Sequence, residues 1–383
     1  MSVTHPQGFV AAGVEAGLKN SGGKDVALVV NEGPTNTAAA VFTANRFKAN
    51  PVLWSEQVVQ DGIAKAVFLN SGGANCYTGP DGFQTTHAVA ERVAQQAGIG
   101  AFDVLVCSTG LIGLANPREQ VLAGADAAYA ALDGAGGDDA AHAIMTTDHV
   151  SKQVVVEGAG WSVGGMAKGA GMLAPQLATM LVVLTTDAVA DAGDLDQALR
   201  AATRVSFDRL DSDGCMSTND TVALLASGAS GITPSLPDLT DAVTRACTDL
   251  AMQLLADAEG STKDIAITVR NAASVEDALT AGRACARNNL LKTALFGSDP
   301  NWGRVLAAIG TTNAAFEADQ VDVTINGVTV CRGGAIGDPR EGVDLTGRAI
   351  TIDVDLRAGT EQATIWTNDL SIAYVHENSA YST

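Results

Sequence analysis

Apolar residues along the chain follow two different periods. The run Met180–Leu184 is continuously apolar and reads as a strand buried on both faces. DVALVVN (25–31) and DVLVCST (103–109) read as further strands, and KAVFLN (65–70) as a buried strand entering a glycine-rich turn. AAAVFTANRFKANPV (38–52) gives another strand followed by a turn. Between these, Ala88, Val89, Val93 and Ala97 recur at helical spacing and predict a helix from about Phe83 to Ala97. Further helices are expected near Pro117–Leu132, Leu195–Arg204, Leu239–Asp257 and 276–290, with Pro117 placed where a first turn tolerates it. DGAGGDD (133–139) reads as loop and GASGITPSLPD (228–238) as linker. Toward the C-terminus the pattern changes: VDVTINGVTV (321–330) alternates around an Asn326-Gly327 turn and predicts a hairpin, and AITIDVDL (349–356) alternates too. The whole is an α/β chain.

Composition narrows this further. At 383 residues, 46% hydrophobic, with 41 glycines and 4% aromatics, the chain is long enough for sizeable cores packed from small residues. A formal charge of −20 argues against nucleic acid as a partner and suits a small cationic substrate. No charged-then-apolar leader opens the chain and no apolar run approaches about 18 residues, so a cytoplasmic, non-membrane protein is expected. The six cysteines (Cys76, Cys107, Cys215, Cys247, Cys285, Cys331) form no CxxC pair and read as reduced, packed thiols. The five histidines have no metal-ligand spacing, so no metal is expected. Asp211, Asp213 and Gly214 fit part of a calcium loop, but Arg209 and Asp220 occupy its first and last ligand positions, which excludes that reading.

The candidate chemistry lies in KGAGMLAPQLATMLVVLTTDA (168–188), where a flexible Gly/Ala approach and Pro175 lead to Ala178-Thr179 at the mouth of the buried strand. A hydroxyl there could attack the carbonyl of Ala178 and cut its own backbone. The product is an N-terminal Thr whose α-amine, a group that ordinarily titrates at roughly 7.7–8.0, serves as base for its own hydroxyl.

This stretch closely resembles the self-processing site of the glutamate N-acetyltransferase / ornithine acetyltransferase family of arginine biosynthesis, in which Lys-Gly-x-Gly-Met…Pro…Ala-Thr-Met-Leu marks the cleavage point. The resemblance extends along the chain. It includes the Gly-Phe…Ala-Ala-Gly opening, the Asn-Arg of 45–46, Ser-Thr-Gly at 108–110, Met-Thr-Thr-Asp at 145–148, Ser-Thr-Asn-Asp-Thr at 217–221, Glu-Gly-x-Thr-Lys at 259–263 and LLKTALFGSDPNWGRVLAAIG at 290–310. One departure is Gly73, where the family usually has Asn.

The resemblance implies a layered α-β-β-α sandwich of the ornithine acetyltransferase / DmpA-like type with a smaller C-terminal α/β portion at about 260–360. Cleavage between Ala178 and Thr179 would give an α fragment, 1–178, and a β fragment, 179–383, associated as an α2β2 heterotetramer. Thr179 would be the nucleophile and Thr109 and Gly110 the oxyanion hole, while Thr146, Lys168, Thr179, Glu259, Asn378 and Thr383 would contact substrate. Asn45 and Arg46 are expected to be structural, and the C-terminus to be tucked in rather than loose. The implied activity moves acetyl from N-acetylornithine to glutamate, giving N-acetylglutamate and ornithine, through an acetyl-Thr179 ester and ping-pong kinetics. No cofactor is expected; acetyl-CoA stays open as a second donor. The alternative is a self-processing N-terminal-Thr amidohydrolase or aminopeptidase, with water as acceptor.

Overall fold

The structure is a computed structural model that describes residues 2–174 and 180–380. Two sheets stack at its centre. The first contains β1 (Phe9–Val14), β2 (Val26–Asn31), β4 (Ala66–Ser71) and β5 (Val104–Thr109), in the order β1-β2-β4-β5. The second contains β3 (Thr37–Phe42), β6 (Lys152–Glu157), β7 (Ser162–Lys168), β8 (Leu181–Thr186) and β9 (Thr221–Ala226), in the order β3-β9-β8-β7-β6. Each sheet has one parallel pair, β4 with β5 and β8 with β9. A parallel pair needs a crossover, and helices α2 (Gly79–Ala97) and α5 (Ala192–Val205) lie in these two connections.

The side chains of β8 and β9 show why the strands read as unbroken apolar runs. Leu181, Val183, Ala223 and Leu225 face the core shared with the first sheet, while Val182, Leu184, Val222 and Leu224 face a second core on the opposite side. That second core is closed by α5 and α6 (Leu236–Ala256), whose apolar residues recur three and four apart: Leu195, Ala198, Leu199 and Ala202 on one, Leu239, Ala242, Val243, Ala246 and Leu250 on the other. Both helices begin about three residues earlier than apolar spacing indicates, because Asp191 and Ser235 cap them by accepting from the Asp194 and Asp238 amides. On the outer face of the first sheet lie α1 (Asn50–Val58), α2 and α3 (Arg118–Ala130), and α4 (Gly137–Ala143) packs on β1 and β2. The order of layers is therefore α-β-β-α. The stretch 133–139, expected to be loop, enters α4 at Gly137.

The C-terminal portion has its own sheet and core. Its strands are β10 (Asp264–Ala272), β11 (Asp322–Ile325), β12 (Val328–Arg332), β13 (Ala335–Ile336), β14 (Ala349–Asp355) and β15 (Glu361–Asn368), ordered β13-β12-β11-β14-β10-β15. Ile265, Ile267, Val269, Ile350, Ile352 and Val354 face inward against α7 (Val275–Ala286), α8 (Asn289–Phe296) and α9 (Trp302–Ile309). The β11–β12 hairpin turns at Asn326 (φ 44°) and Gly327 (φ 84°), the two positive φ values of the tightest hairpin loop.

The last helix, α10 (Ile372–Ala380), overturns the expectation of a tucked C-terminus for the residues described: none of its side chains is buried, and Ile372 is 76% exposed. Five of the six thiols are buried as expected, but Cys215 is exposed. Among the described residues no helix is long and apolar enough to cross a membrane.

Candidate active site

Six segments of distant sequence meet at one end of the central sheets. They are the end of β5, the loop after α4, the end of β7, the start of β8, the loop before β9, and the turn between α6 and β10. Lys168, the last residue of β7, is fully buried. Its ammonium donates to Thr146 Oγ1 at 2.7 Å and Thr109 Oγ1 at 3.2 Å, and lies 3.9 Å from Asp148 Oδ2. Three of the expected site residues are thus brought into direct contact. A threonine hydroxyl that accepts from an ammonium keeps its own proton free to donate, so Thr109 can still offer an O–H to a developing oxyanion.

Burial lowers the Lys168 pKa below the usual lysine value; Asp148, Glu259 and Asp220 oppose that, while Lys152 adds to it. Asp148 is the nearest of these carboxylates. Burial pushes its pKa upward, but Lys168 and Lys152 outweigh burial and hold it at about 2, so it stays ionised. Asp148 Oδ1 also accepts from the Gly169 amide at 2.6 Å and Lys152 Nζ at 2.7 Å, and Oδ2 from the Thr146 amide at 3.0 Å. Lys152 is itself buried and makes a second ion pair, with Asp257 at 2.6 Å. This chain of alternating charge fixes the Thr146 loop and the end of β7 against each other. Asp148, Lys152 and Asp257 escaped sequence reasoning because charged residues in a loop, at the start of a strand and at a helix end ordinarily face water.

Gly110 follows Thr109 with φ +130°, a conformation side chains rarely adopt, and a Cβ there would meet the Gly73 amide nitrogen at 2.7 Å. The backbone can therefore present the Thr109–Gly110 edge only with glycine at this point. Glu259 is buried, its amide bonded to the Ala170 carbonyl at 3.0 Å. A Cβ on Gly171 would lie 2.6 Å from its carboxylate, so Gly171 makes room for that carboxylate three residues beyond Lys168. Ammonium and carboxylate on neighbouring backbone give the site one positive and one negative anchor.

Asn378 is exposed and donates to the Tyr374 carbonyl within α10, so no contact joins it to Lys168. Ala178, Thr179 and Thr383 lie outside the described residues. Asn45 is structural as expected: it accepts from the Phe47 amide and donates to the Met216 carbonyl. At Gly73 a Cβ would collide with Asn116 Oδ1, and Asn116 donates to the Gly73 carbonyl instead; the neighbouring Asn75 closes the turn into α2 by donating to Gly82 and Thr86. The aspartates of the calcium-like stretch are committed elsewhere, Asp211 to Arg287 and Asp213 to backbone amides.

The fold is a four-layer α-β-β-α sandwich whose five- and four-stranded sheets bring a buried ammonium together with two hydroxyls and a carboxylate, the arrangement of a layered α/β enzyme. The ArgJ family model matches residues 10–383, and the chain belongs to this family of acetyltransferases. It is 62% identical over 382 residues to the arginine biosynthesis bifunctional protein ArgJ of Streptomyces avermitilis, covering all of both chains. Among solved structures it resembles the arginine biosynthesis bifunctional protein of Bacillus halodurans, with 33% identity and a TM-score of 0.50 over 52% of this chain and 98% of that one. It also resembles the ornithine acetyltransferase of Mycobacterium tuberculosis complexed with ornithine, with 55% identity and a TM-score of 0.45 over 47% of this chain and 96% of that one.

Proposed function

We propose that the chain is a self-processing ornithine acetyltransferase that moves acetyl from N-acetylornithine to glutamate, reversibly. The observation that carries this reading is the buried Lys168 ammonium, hydrogen-bonded to Thr109 and Thr146 beside Asp148, with the Ala170–Glu259 contact two residues further along the chain. A fixed positive charge suits an amino-acid carboxylate, and Glu259 suits the cationic end of ornithine. The acidic chain as a whole favours such a cation.

In the proposed reaction the hydroxyl of Thr179, freed as an N-terminal residue by cleavage after Ala178, attacks the acetyl carbonyl. The Thr179 α-amine takes the hydroxyl proton and passes it to the leaving amine, the C–N bond breaks, and an acetyl ester remains. Thr109 and Gly110 stabilise the oxyanion. Glutamate then attacks the ester through its amine, the C–O bond breaks and the hydroxyl is restored. Lys168 and Thr146 hold the carboxylate end, with Glu259, Asn378 and Thr383 completing substrate contacts. No metal or cofactor is needed in this scheme.

Family membership supports the reading, as does the size relation to the Bacillus halodurans chain, which aligns over nearly its whole length with about half of this one. The fragments 1–178 and 179–383 would stay together as α2β2. The test is a side-by-side assay of glutamate with N-acetylornithine, glutamate with acetyl-CoA, and N-acetylornithine alone. Transfer should require an acceptor; release of acetate from N-acetylornithine alone at the same rate would instead mark an amidohydrolase.

A further inference from the structure

A cleft of about 500 Å³ lies on the C-terminal portion and shares no lining residue with the site around Lys168. Thr280, Arg283 and Arg287 of α7 line it on one side, and Thr311, Thr312 and Asn313, in the turn after α9, on the other. The three α7 residues are three and four positions apart, so one stripe of the helix faces the cleft.

The charges of this stripe are poorly matched. Arg287 Nε donates to Asp211 Oδ2 at 2.7 Å, and its guanidinium makes no other hydrogen bond among the described residues. Arg283 has less: among the described residues it joins no ion pair, and its Nε is buried without a hydrogen-bond partner. A third guanidinium, on Arg209 of the 3-10 turn Phe207–Arg209, stands near it and donates through Nε to the Arg204 carbonyl at 3.0 Å. Burial lowers the Arg209 pKa, and Arg283 lowers it further against the opposing pull of Asp208.

A buried donor without an acceptor is costly, and so is bringing like charges together. Carboxylates are not scarce in this chain, which has 43 acidic residues against 23 basic ones, yet none pairs with Arg283 among the described residues. Neutral donors stand ready beside it. The hydroxyls of Thr311 and Thr312 are spent on the Ala308 and Ile309 carbonyls at 2.7 Å, but Thr280 and Asn313 make no side-chain hydrogen bond among the described residues.

We propose that this cleft binds a phosphate group, held by the guanidiniums of Arg283 and Arg287, with Thr280 and Asn313 as neutral donors and Arg209 adding to the positive field. A guanidinium fork matches a carboxylate or a phosphate in its own plane. Here the cations come from α7 and from the separate Phe207–Arg209 turn, so the ligand has to accept from more than one direction. A tetrahedral dianion does so, whereas a planar carboxylate presents its two oxygens along one edge. Free phosphate and coenzyme A both carry the group, and titration separates them. The site does not rest on the acetyl-transfer reading.

The test is calorimetric titration of the purified protein with inorganic phosphate and with coenzyme A, at an ionic strength held constant with chloride. Wild type should bind phosphate saturably with a Kd of about 1 mM or lower. Arg283→Gln should weaken that about tenfold or more, since a charged hydrogen-bond donor is lost, and Arg283→Lys, which keeps the charge without the fork, should fall between. Melting temperatures should change order: in chloride Arg283→Gln melts at or above the wild type, relieved of repulsion with Arg209, and in saturating phosphate the wild type rises above it. Arg332→Ala, in an exposed pair on the same portion of the chain, should bind phosphate as the wild type does. Coenzyme A binding about tenfold or more tighter than phosphate, and dependent on Arg283, assigns the site to its phosphates; equal or weaker binding assigns it to free phosphate. Saturable binding of neither, binding that Arg283→Gln leaves unchanged, or an equal response to acetate overturns the inference.

Discussion

Ion pairs occur at both ends of the molecule, and they do different work. At the site, Lys152 and Asp148 are both fully buried, and each has a second charged neighbour. In the C-terminal sheet, Arg332 pairs with Asp338 at 2.8 Å, but both side chains are about half exposed. Exposed pairs gain little over hydration, whereas buried ones carry a desolvation cost that only a complete network offsets. The buried pairs surround Lys168, while exposed pairs lie on both parts of the chain, among them Arg92–Asp126 and Arg200–Asp196 on the sandwich helices. The buried network fixes loops and strand ends against each other; an exposed pair adds little.

Substitutions can break this contrast, beginning with the most damaging. Lys152→Met leaves Asp148 and Asp257 buried without their shared cation and should lower unfolding free energy by about 3–5 kcal/mol in denaturant titrations. Thr109→Ala removes the hydroxyl proposed as oxyanion donor and should lower kcat by about 10²–10³ with little change in stability. Lys168→Met should raise the KM for the amino-acid substrates by about 10- to 100-fold. In the wild type, 1/KM should fall at high pH as Lys168 deprotonates, and burial places that limb below the ordinary lysine value; the variant should lack it. Arg332→Ala, by contrast, should change unfolding free energy by less than about 1 kcal/mol.

The same contrast explains what could be read from the amino-acid order. The C-terminal strands have one wet face, so their alternation is visible in VDVTINGVTV and AITIDVDL. In the sandwich, VALVV and MLVVL stand out because both faces are dry, but β7 does not: Gly164 and Gly165 dilute its apolar run. β9 is hidden behind the polar stretch that precedes it. Sheet order is invisible in either case, since it depends on pairings such as β3 with β9, nearly two hundred residues apart. Lys168 stood out only through family resemblance, because a lone lysine among small residues carries no periodic signal. Asp148 and Asp220 gave none either; their partners lie across loops and strands, at Lys152 and Lys168 for one and Met180 for the other. The exposed Ile372 and Val375 misled in the opposite direction, as apolar residues that α10 leaves uncovered.

At the centre of this account stands a hydroxyl that becomes reactive once its own amide bond is cut. Purified protein mixed with N-acetylornithine, quenched in acid and digested for mass spectrometry, tests it directly. The account predicts a fragment whose first residue is Thr179, carrying one acetyl group on its side chain that glutamate removes. Transfer by an unbroken chain, or by a cleaved one with no acetyl on Thr179, would contradict it.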